Sequence, residues 1–402
     1  MSNAAERMGV AHFTRLAFAG TDLRPIWHEL MAKVSDDSEG AGIGMDLSVI
    51  AQLLGDQATG LAIQKQVLAG HSLFRSPCSA STPGLRCLAL AAEMDIGGNT
   101  PIEFLVEGSG VELTTLYVMP GAGQSLPPHD VAIVVAPCDS QAQETLAEIE
   151  RLTAALPVLN PPHRLRALER DRLCGVLHAI PGLVIPPTVR LCRAALAELA
   201  DDPSRLALEG AGFPLVARPV GSHAGRGLMK LDTPREIGAY LAMCREAEFF
   251  LSPYVEYASR DGLFRKYRLV CVAGRAYACH MAISSQWKIW YLNADMALSE
   301  AKRAEEARFF ARFDDDFARR HAGALAEMIN RIGLDYFQID CAETLAGELL
   351  VFEADNTAIV HDMDSPAVFP YKPPQMRKVF DAFVEMLYNR AGAYGSELSE
   401  RA

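Results

Sequence analysis

Two β-rich runs, Tyr336 to Cys341 and Leu349 to Asp355, flank the segment Ala342 to Glu348 and read as a hairpin. With its turn centred near Thr344 to Ala346, period-two alternation puts Gln338, Asp340, Glu353 and Asp355 on one face. Phe337, Ile339, Cys341, Leu350 and Phe352 fall on the other. Diagonal neighbours on paired strands lie roughly 7–8 Å apart, a span that one or two Mg²⁺ ions bridge while holding a nucleotide's phosphates. Three carboxylates on one strand face repel one another unless a cation compensates. A solvated sheet edge is the alternative, but the neighbouring strands are too apolar for an exposed sheet. A metal set of Asp340, Glu353 and Asp355 is therefore expected, for Mg²⁺ with Mn²⁺ as a substitute.

A second feature is the run from Phe213 to Gly227, a strand that enters a loop with Gly221, Ser222, Gly225 and Gly227. Glycines let backbone N–H groups approach phosphate oxygens, and Arg218 at the strand end supplies a cation for the same charges. The spacing is neither of Rossmann nor of Walker type, so a plain glycine-rich turn stays open. Arg268 shares a strand side with Val270 and Val272, and an arginine there calls for an anion, either phosphate or a protein carboxylate. His280, followed by Ser284, Ser285, Trp287, Lys288, Tyr291 and Asn293, reads either as the lining of an acceptor pocket or as aromatic packing. His361-Asp-Met-Asp364 reads as a capped loop, with His361 facing substrate. Asp314 to Asp316 read as a solvated helix face.

The elements that must position these residues follow from pattern. Trp27, Leu30, Met31 and Val34 fall at helical spacing, and Leu47, Ile50, Leu53 and Leu54 repeat it after Gly40 to Gly44, a stretch expected to be a loop ahead of a helix capped by Asp46. Ile102 to Val106, Val111 to Val118 and Val131 to Val135 are expected strands, and Gln141 to Leu156 a helix. Asn160-Pro-Pro162 marks a boundary. Helices are expected around Leu165 to Ile180, Val189 to Ala200, Ala301 to Ile332 and Met376 to Tyr388. Tyr267 to Val272 and Ala276 to Ile283 form a hairpin.

Composition limits what the whole can be. The chain has 402 residues, half of them hydrophobic and 22% charged, and suits two to three globular domains. A net charge of −12 argues against a nucleic-acid or anionic-membrane surface. No apolar run approaches the roughly 18 residues of a membrane span, and no secretory leader is evident, so a cytoplasmic location is expected. Nine cysteines without a C-x-x-C pair fit reduced thiols rather than a disulfide framework or a zinc site.

The order of these features resembles the ATP-grasp superfamily, in the branch of glutathione synthetases, D-alanine–D-alanine ligases and ribosomal-protein glutamate ligases. The resemblance runs from about Asn160 to Arg390 through Arg170-Asp-Arg172, Ile185-Pro-Pro-Thr188, Val216 to Gly227, Leu251-Ser-Pro-Tyr-Val-Glu256, Arg268, Gly333 to Asp340 and Phe352-Glu353-Ala-Asp355. With Asn99-Thr-Pro-Ile-Glu-Phe-Leu, Pro128-His-Asp-Val and His280-Met-Ala-Ile-Ser, the whole chain also looks like bacterial ATP-grasp proteins fused to tetratricopeptide repeats.

The resemblance implies an α+β fold: a helical segment over residues 1–84, a small pre-ATP-grasp α/β domain over 85–160, and an ATP-grasp module over 161–402. The module's glycine-loop lobe would cover about 185–250 and its metal-binding lobe about 251–395. ATP and Mg²⁺ are the implied cofactors. Arg172 and Arg218 would contact phosphates where the family has lysines, and backbone near Tyr254 and Val255 would hold adenine. Glu256 would reach the ribose. Asp340, Glu353 and Asp355 would bind Mg²⁺, the last in place of the family's asparagine, and Arg268 would stabilise the transferring phosphoryl group. The implied activity is ADP-forming ligation of a small-molecule or peptide carboxylate to an amine through an acyl phosphate. A small-molecule kinase and a non-catalytic nucleotide-binding partner protein are the alternatives, with the N-terminal helices as a protein-docking module. A homodimer is a family expectation.

Overall fold

The computed structural model describes residues 4–34, 38–79, 84–206, 208, 212–222, 225–290 and 293–401. Its mixed α/β character is the one expected. The chain divides into two compact units, one of Met1–Arg166, Leu334–Phe337 and Asp355–Ala402, the other of Ala167–Gly333 and Gln338–Ala354. No helix among the described residues is long and apolar enough to cross a membrane.

The first unit is built on a five-stranded sheet of β1 (Ala5–Glu6), β2 (Leu73–Arg75), β3 (Leu85–Ala91), β4 (Val111–Tyr117) and β5 (Val131–Val134), in the order β1-β2-β4-β3-β5. β3 pairs in parallel with both β4 and β5, and six of its seven residues are buried, as a strand covered on both faces requires. Because β1 and β2 join this sheet, the N-terminal helical segment shares its core.

Here several expectations are corrected. Residues Glu103–Val106 are helical, not strand, because a short apolar run has no periodicity to separate a buried helix from a buried strand. The glycines from Gly40 to Gly44 lie inside the helix Ser38–Leu53 rather than in a loop. A Cβ on Gly42 would sit 1.8 Å from the Glu6 carbonyl oxygen, so glycine is what lets this helix lie against β1. Asp46 does not cap its own helix. Its carboxylate accepts from the backbone N–H of Met8 (2.8 Å) and Gly9 (2.9 Å), at the start of the helix Gly9–Phe18.

Burial raises the Asp46 carboxyl to about 6, against the lowering effect of those two N–H groups and of Arg7. A carboxyl with a raised native pKa contributes stability that is complete below its unfolded value of 3.8 and is lost as pH rises through about 6. The loss is on the order of 3 kcal/mol. Asp46→Asn should therefore gain stability relative to the parent between pH 4 and pH 7, by the melting temperatures of both proteins at each pH. A constant difference across that range contradicts the assignment.

The second unit holds two sheets. The first, of β7 (Val189–Cys192), β8 (Leu215–Pro219), β9 (Met229–Leu231) and β10 (Glu248–Pro253), has the order β7-β10-β8-β9 and is antiparallel throughout. Its buried side packs Leu215, Ala217, Phe249 and Leu251 against Leu196 and Tyr240. The second sheet has the order β12-β11-β13-β14-β6, with β6 (Leu183–Val184), β11 (Phe264–Val272), β12 (Arg275–Ser284), β13 (Tyr336–Glu343) and β14 (Leu349–Asp355). Both expected hairpins are present.

Val189–Cys192 is strand, and the expected helix begins only at Arg193. The expected helix around Leu165 to Ile180 is three short pieces, the last of them Arg170–Val176. The long helix from Ala301 to Ile332 is likewise three, Glu300–Arg312, Phe317–Arg320 and Ala322–Ile332. The break falls at Asp314 to Asp316, residues with poor helix propensity, where Asp316 accepts from Arg320 Nε at 2.8 Å.

Within the first unit, Asn160 holds the first residue of β13. Asn160, buried with φ of 54°, donates Nδ2 to the Tyr336 carbonyl (2.6 Å) and accepts from the N–H groups of Asp335 and Tyr336 (both 3.0 Å).

Candidate active site

The centre of the second unit's larger sheet is a buried carboxylate in a cationic clasp. Asp340 on β13 has a side chain only 2% exposed. Arg268 on the adjacent β11 donates Nε to Asp340 Oδ1 at 2.7 Å and Nη2 to Oδ2 at 3.1 Å, the two-pronged geometry a guanidinium offers a carboxylate. Lys266, two residues before Arg268 and so on the same strand face, places Nζ 2.6 Å from Asp340 Oδ2. Burial alone would raise this carboxyl. The charges of Arg268 and Lys266 outweigh it and hold the group well below the usual carboxylate range.

Glu353 on β14 is held in the same way by two other cations. Arg170, first residue of the helix Arg170–Val176, pairs with its Oε2 and donates Nη1 to the Phe352 carbonyl at 3.2 Å. Arg218 on β8 brings Nη1 to 3.6 Å from the same Oε2, so the carboxylate joins the two sheets. Burial and the neighbouring Arg170 push the Arg218 guanidinium well below its ordinary pKa, which marks a position where an added anion is favourable. Four cations against two carboxylates leave two positive charges in excess.

The glycine loop begins at Arg218. Its Nη2 donates to the Ser222 carbonyl, and Ser222 Oγ donates to the Pro219 carbonyl at 2.8 Å. Gly221, Gly225 and Gly227 all have positive φ, and a Cβ on Gly227 would meet Pro219 at 2.7 Å. Lys288 Nζ fastens the far end by donating to the Leu228 carbonyl at 2.9 Å. His223, Ala224, Tyr291 and Leu292 lie outside the described residues.

At the end of β10, Tyr254 N–H donates to the Pro214 carbonyl at 3.0 Å, and the Tyr254 ring lies under Lys230 Nζ at 4.3 Å from its centroid. Val255 packs with Trp287, Val184 and Phe352 around Tyr257, Ala342 and Leu350, forming an apolar cluster beside the Arg170–Glu353 pair. Glu256 Oε1 accepts from the N–H groups of Tyr257 (2.9 Å) and Ala258 (2.8 Å).

Not all expected residues come together. Arg172 is exposed, and Arg170, two residues earlier, is the one that meets Glu353. Asp355, two residues beyond Glu353 at the end of the same strand, has its Oδ1 accepting from Thr357 N–H (2.8 Å) and Oγ1 (2.9 Å). His361 belongs to the first unit. Its Nδ1 accepts from Met363 N–H at 3.1 Å, and burial lowers its pKa against the pull of Asp364. His280 is opposite Arg268 in the β11–β12 register, next to an irregularity between Arg268 and Leu269. Asn293 is occupied with loop closure, accepting from Trp290 N–H at 3.0 Å.

Among the described residues no three His, Cys, Asp or Glu are grouped so as to hold a metal ion. Asp340 and Glu353 stand on adjacent strands. Their oxygens suit a hard divalent cation, and Mg²⁺ characteristically takes one or two carboxylates and completes its shell with water and phosphate oxygens. Three further residues fit the site. Lys266 and Arg170 were within reach of the sequence, the first by simple alternation from Arg268. Gln338, on the same face as Asp340, is 1% exposed, and among the described residues neither of its amide atoms has a hydrogen-bond partner.

No protein-family model matches the chain, and no curated protein sequence does. Solved structures do. The chain is similar to the VanG D-Ala:D-Ser ligase of Enterococcus faecalis, with 13% identity and a TM-score of 0.46 over 76% of this chain and 99% of the other. It is similar also to the D-alanine–D-alanine ligase of Bacillus anthracis complexed with ATP, with 13% identity and a TM-score of 0.43 over 77% and 99%. A third is a RimK domain ATP-grasp protein of Sphaerobacter thermophilus, at 19% identity and a TM-score of 0.40 over 75% and 99%.

Proposed function

We propose that the second unit is an ATP-dependent carboxylate ligase site. The observation that carries this reading is the pair of clasped carboxylates, Asp340 with Arg268 and Lys266, and Glu353 with Arg170 and Arg218. Partly buried ion pairs with excess cations are a costly way to stabilise a sheet and a direct way to receive a polyphosphate. In this reading the arginines exchange a carboxylate for phosphate oxygens when nucleotide enters, which frees Asp340 and Glu353 for Mg²⁺. A bound Mg²⁺ would offset the negative charge on the phosphate oxygens.

Arg170 and Arg218 then hold the phosphate chain, with backbone N–H groups of the glycine loop as further donors. The apolar cluster of Val255, Trp287, Val184 and Phe352 receives the base. Arg268 and Lys266 face the γ-phosphoryl group. A substrate carboxylate oxygen attacks the γ-phosphorus, the bond to the β-γ bridging oxygen breaks, and ADP leaves with an acyl phosphate formed. An amine attacks the acyl carbon, its proton is lost, and orthophosphate departs, while Arg268 stabilises the oxyanion between the two events.

Product analysis tests this. With ATP, Mg²⁺ and a panel of carboxylic and amino acids, the protein should release ADP and orthophosphate in equal amounts. A stable phosphorylated product without orthophosphate would instead assign a kinase, and ATP binding with no ADP under any condition would assign a nucleotide-binding protein.

A further inference from the structure

The first unit contains a cavity of about 50 Å³ that the proposed ligase chemistry does not use. It lies among residues at the carboxyl ends of the parallel strands β3 and β4, Ala91 and Tyr117, the edge at which α/β sheets accept ligands. The N-terminal segment closes it with Val10, Met45 and Val49. Most of the wall is apolar.

Eight polar residues interrupt that wall, and two of them, Arg7 and Gln64, carry a buried polar atom without a partner among the described residues. Arg7, its side chain 4% exposed, donates Nη1 to Tyr117 Oη (3.1 Å) and Nη2 to Glu103 Oε1 (2.9 Å) and Thr115 Oγ1 (3.4 Å). Among the described residues its Nε–H has no acceptor. Gln64, 5% exposed, lines the same cavity, and among the described residues its Oε1 has no donor. A buried donor and a buried acceptor left without partners around one void call for an occupant that supplies both.

We propose that this cavity binds a small zwitterionic α-amino acid, its carboxylate accepting from Arg7 Nε–H and its ammonium donating to Gln64 Oε1. Size and charge select this class. At roughly 10–15 Å³ for each water, the void takes about four waters or one molecule of similar bulk. The Arg7 charge is already met by Glu103, Asp95 lines the cavity with a further carboxylate and Asp46 lies close to Arg7, so a simple anion would leave the pocket with excess negative charge. A zwitterion adds none. Its small side chain would contact Met45, Val49 and Leu113.

The test needs no nucleotide, so it stands or falls apart from the ligase reading. Glycine and alanine are titrated into the full chain by calorimetry, with acetate and methylamine as anionic and cationic controls. Saturable binding of at least one amino acid is expected, with neither control competing. Gln64→Met, which keeps the volume, should retain the parent's melting temperature and bind about tenfold more weakly. Arg7→Lys should abolish binding, but the Gln64 variant decides the matter if that protein fails to fold. No saturable binding by either amino acid, which would mean ordered water only, overturns the proposal. So does equal binding in Gln64→Met, or acetate binding as tightly as glycine.

Discussion

Asp340→Asn should reduce ADP release from Mg²⁺-ATP by about a thousandfold, equivalent to roughly 4 kcal/mol of transition-state stabilisation. The amide keeps the shape of the carboxylate but not the charge that Lys266 at 2.6 Å and Arg268 at 2.7 Å compensate. Two half-buried cations would then face one another without a counter-ion. Breaking a buried pair in this way typically costs about 3–5 kcal/mol, so a lower melting temperature should accompany the kinetic loss. Nucleotide should behave differently. Metal-free ATP brings anions to the two released cations, and its affinity should hold or rise while turnover collapses. Turnover within tenfold of the parent would remove Asp340 from the site.

Arg268→Lys is expected to be the second most damaging change despite its conserved charge. A lysine ammonium can approach Asp340 or one phosphate oxygen but cannot span two oxygens in a plane, as the Nε and Nη2 of Arg268 do at 2.7 and 3.1 Å. If the guanidinium acts on the transferring group and the later oxyanion, kcat should fall by about a hundredfold, and KM for ATP by much less. Because Arg268 and Asp340 touch, the effects of the two substitutions should not add. A change confined to KM would place Arg268 in nucleotide binding rather than in the chemical step.

The charged residues of the candidate site were legible on strands the sequence places correctly. Asp340, Glu353 and Arg268 stand out as charged residues on two hairpins whose strands are where the sequence puts them. Strand alternation applied backwards from Arg268 finds Lys266. Arg170 and Arg172 are harder to separate, since two residues along a helix point to different sides and only the packing of Arg170–Val176 selects which one reaches Glu353.

The errors in the fold have a common origin. Short apolar runs such as Glu103–Val106 carry no period, and the glycines from Gly40 to Gly44 signal a loop until the backbone of Glu6 is known to lie against Gly42. Asp46 was a sound capping residue assigned to the wrong helix, because a cap supplied from 37 positions away leaves no local pattern.

The central claim is that the doubly clasped carboxylates mark a site that activates a carboxylic acid with ATP. Hydroxylamine tests it most directly, because it traps an acyl phosphate as a hydroxamate whatever the natural nucleophile is. With Mg²⁺-ATP, a panel of carboxylic and amino acids and hydroxylamine, the parent protein should form a hydroxamate matched one-for-one by ADP, and Asp340→Asn should form almost none. ADP release without hydroxamate for every acid, or equal hydroxamate from the Asp340 variant, would contradict the account.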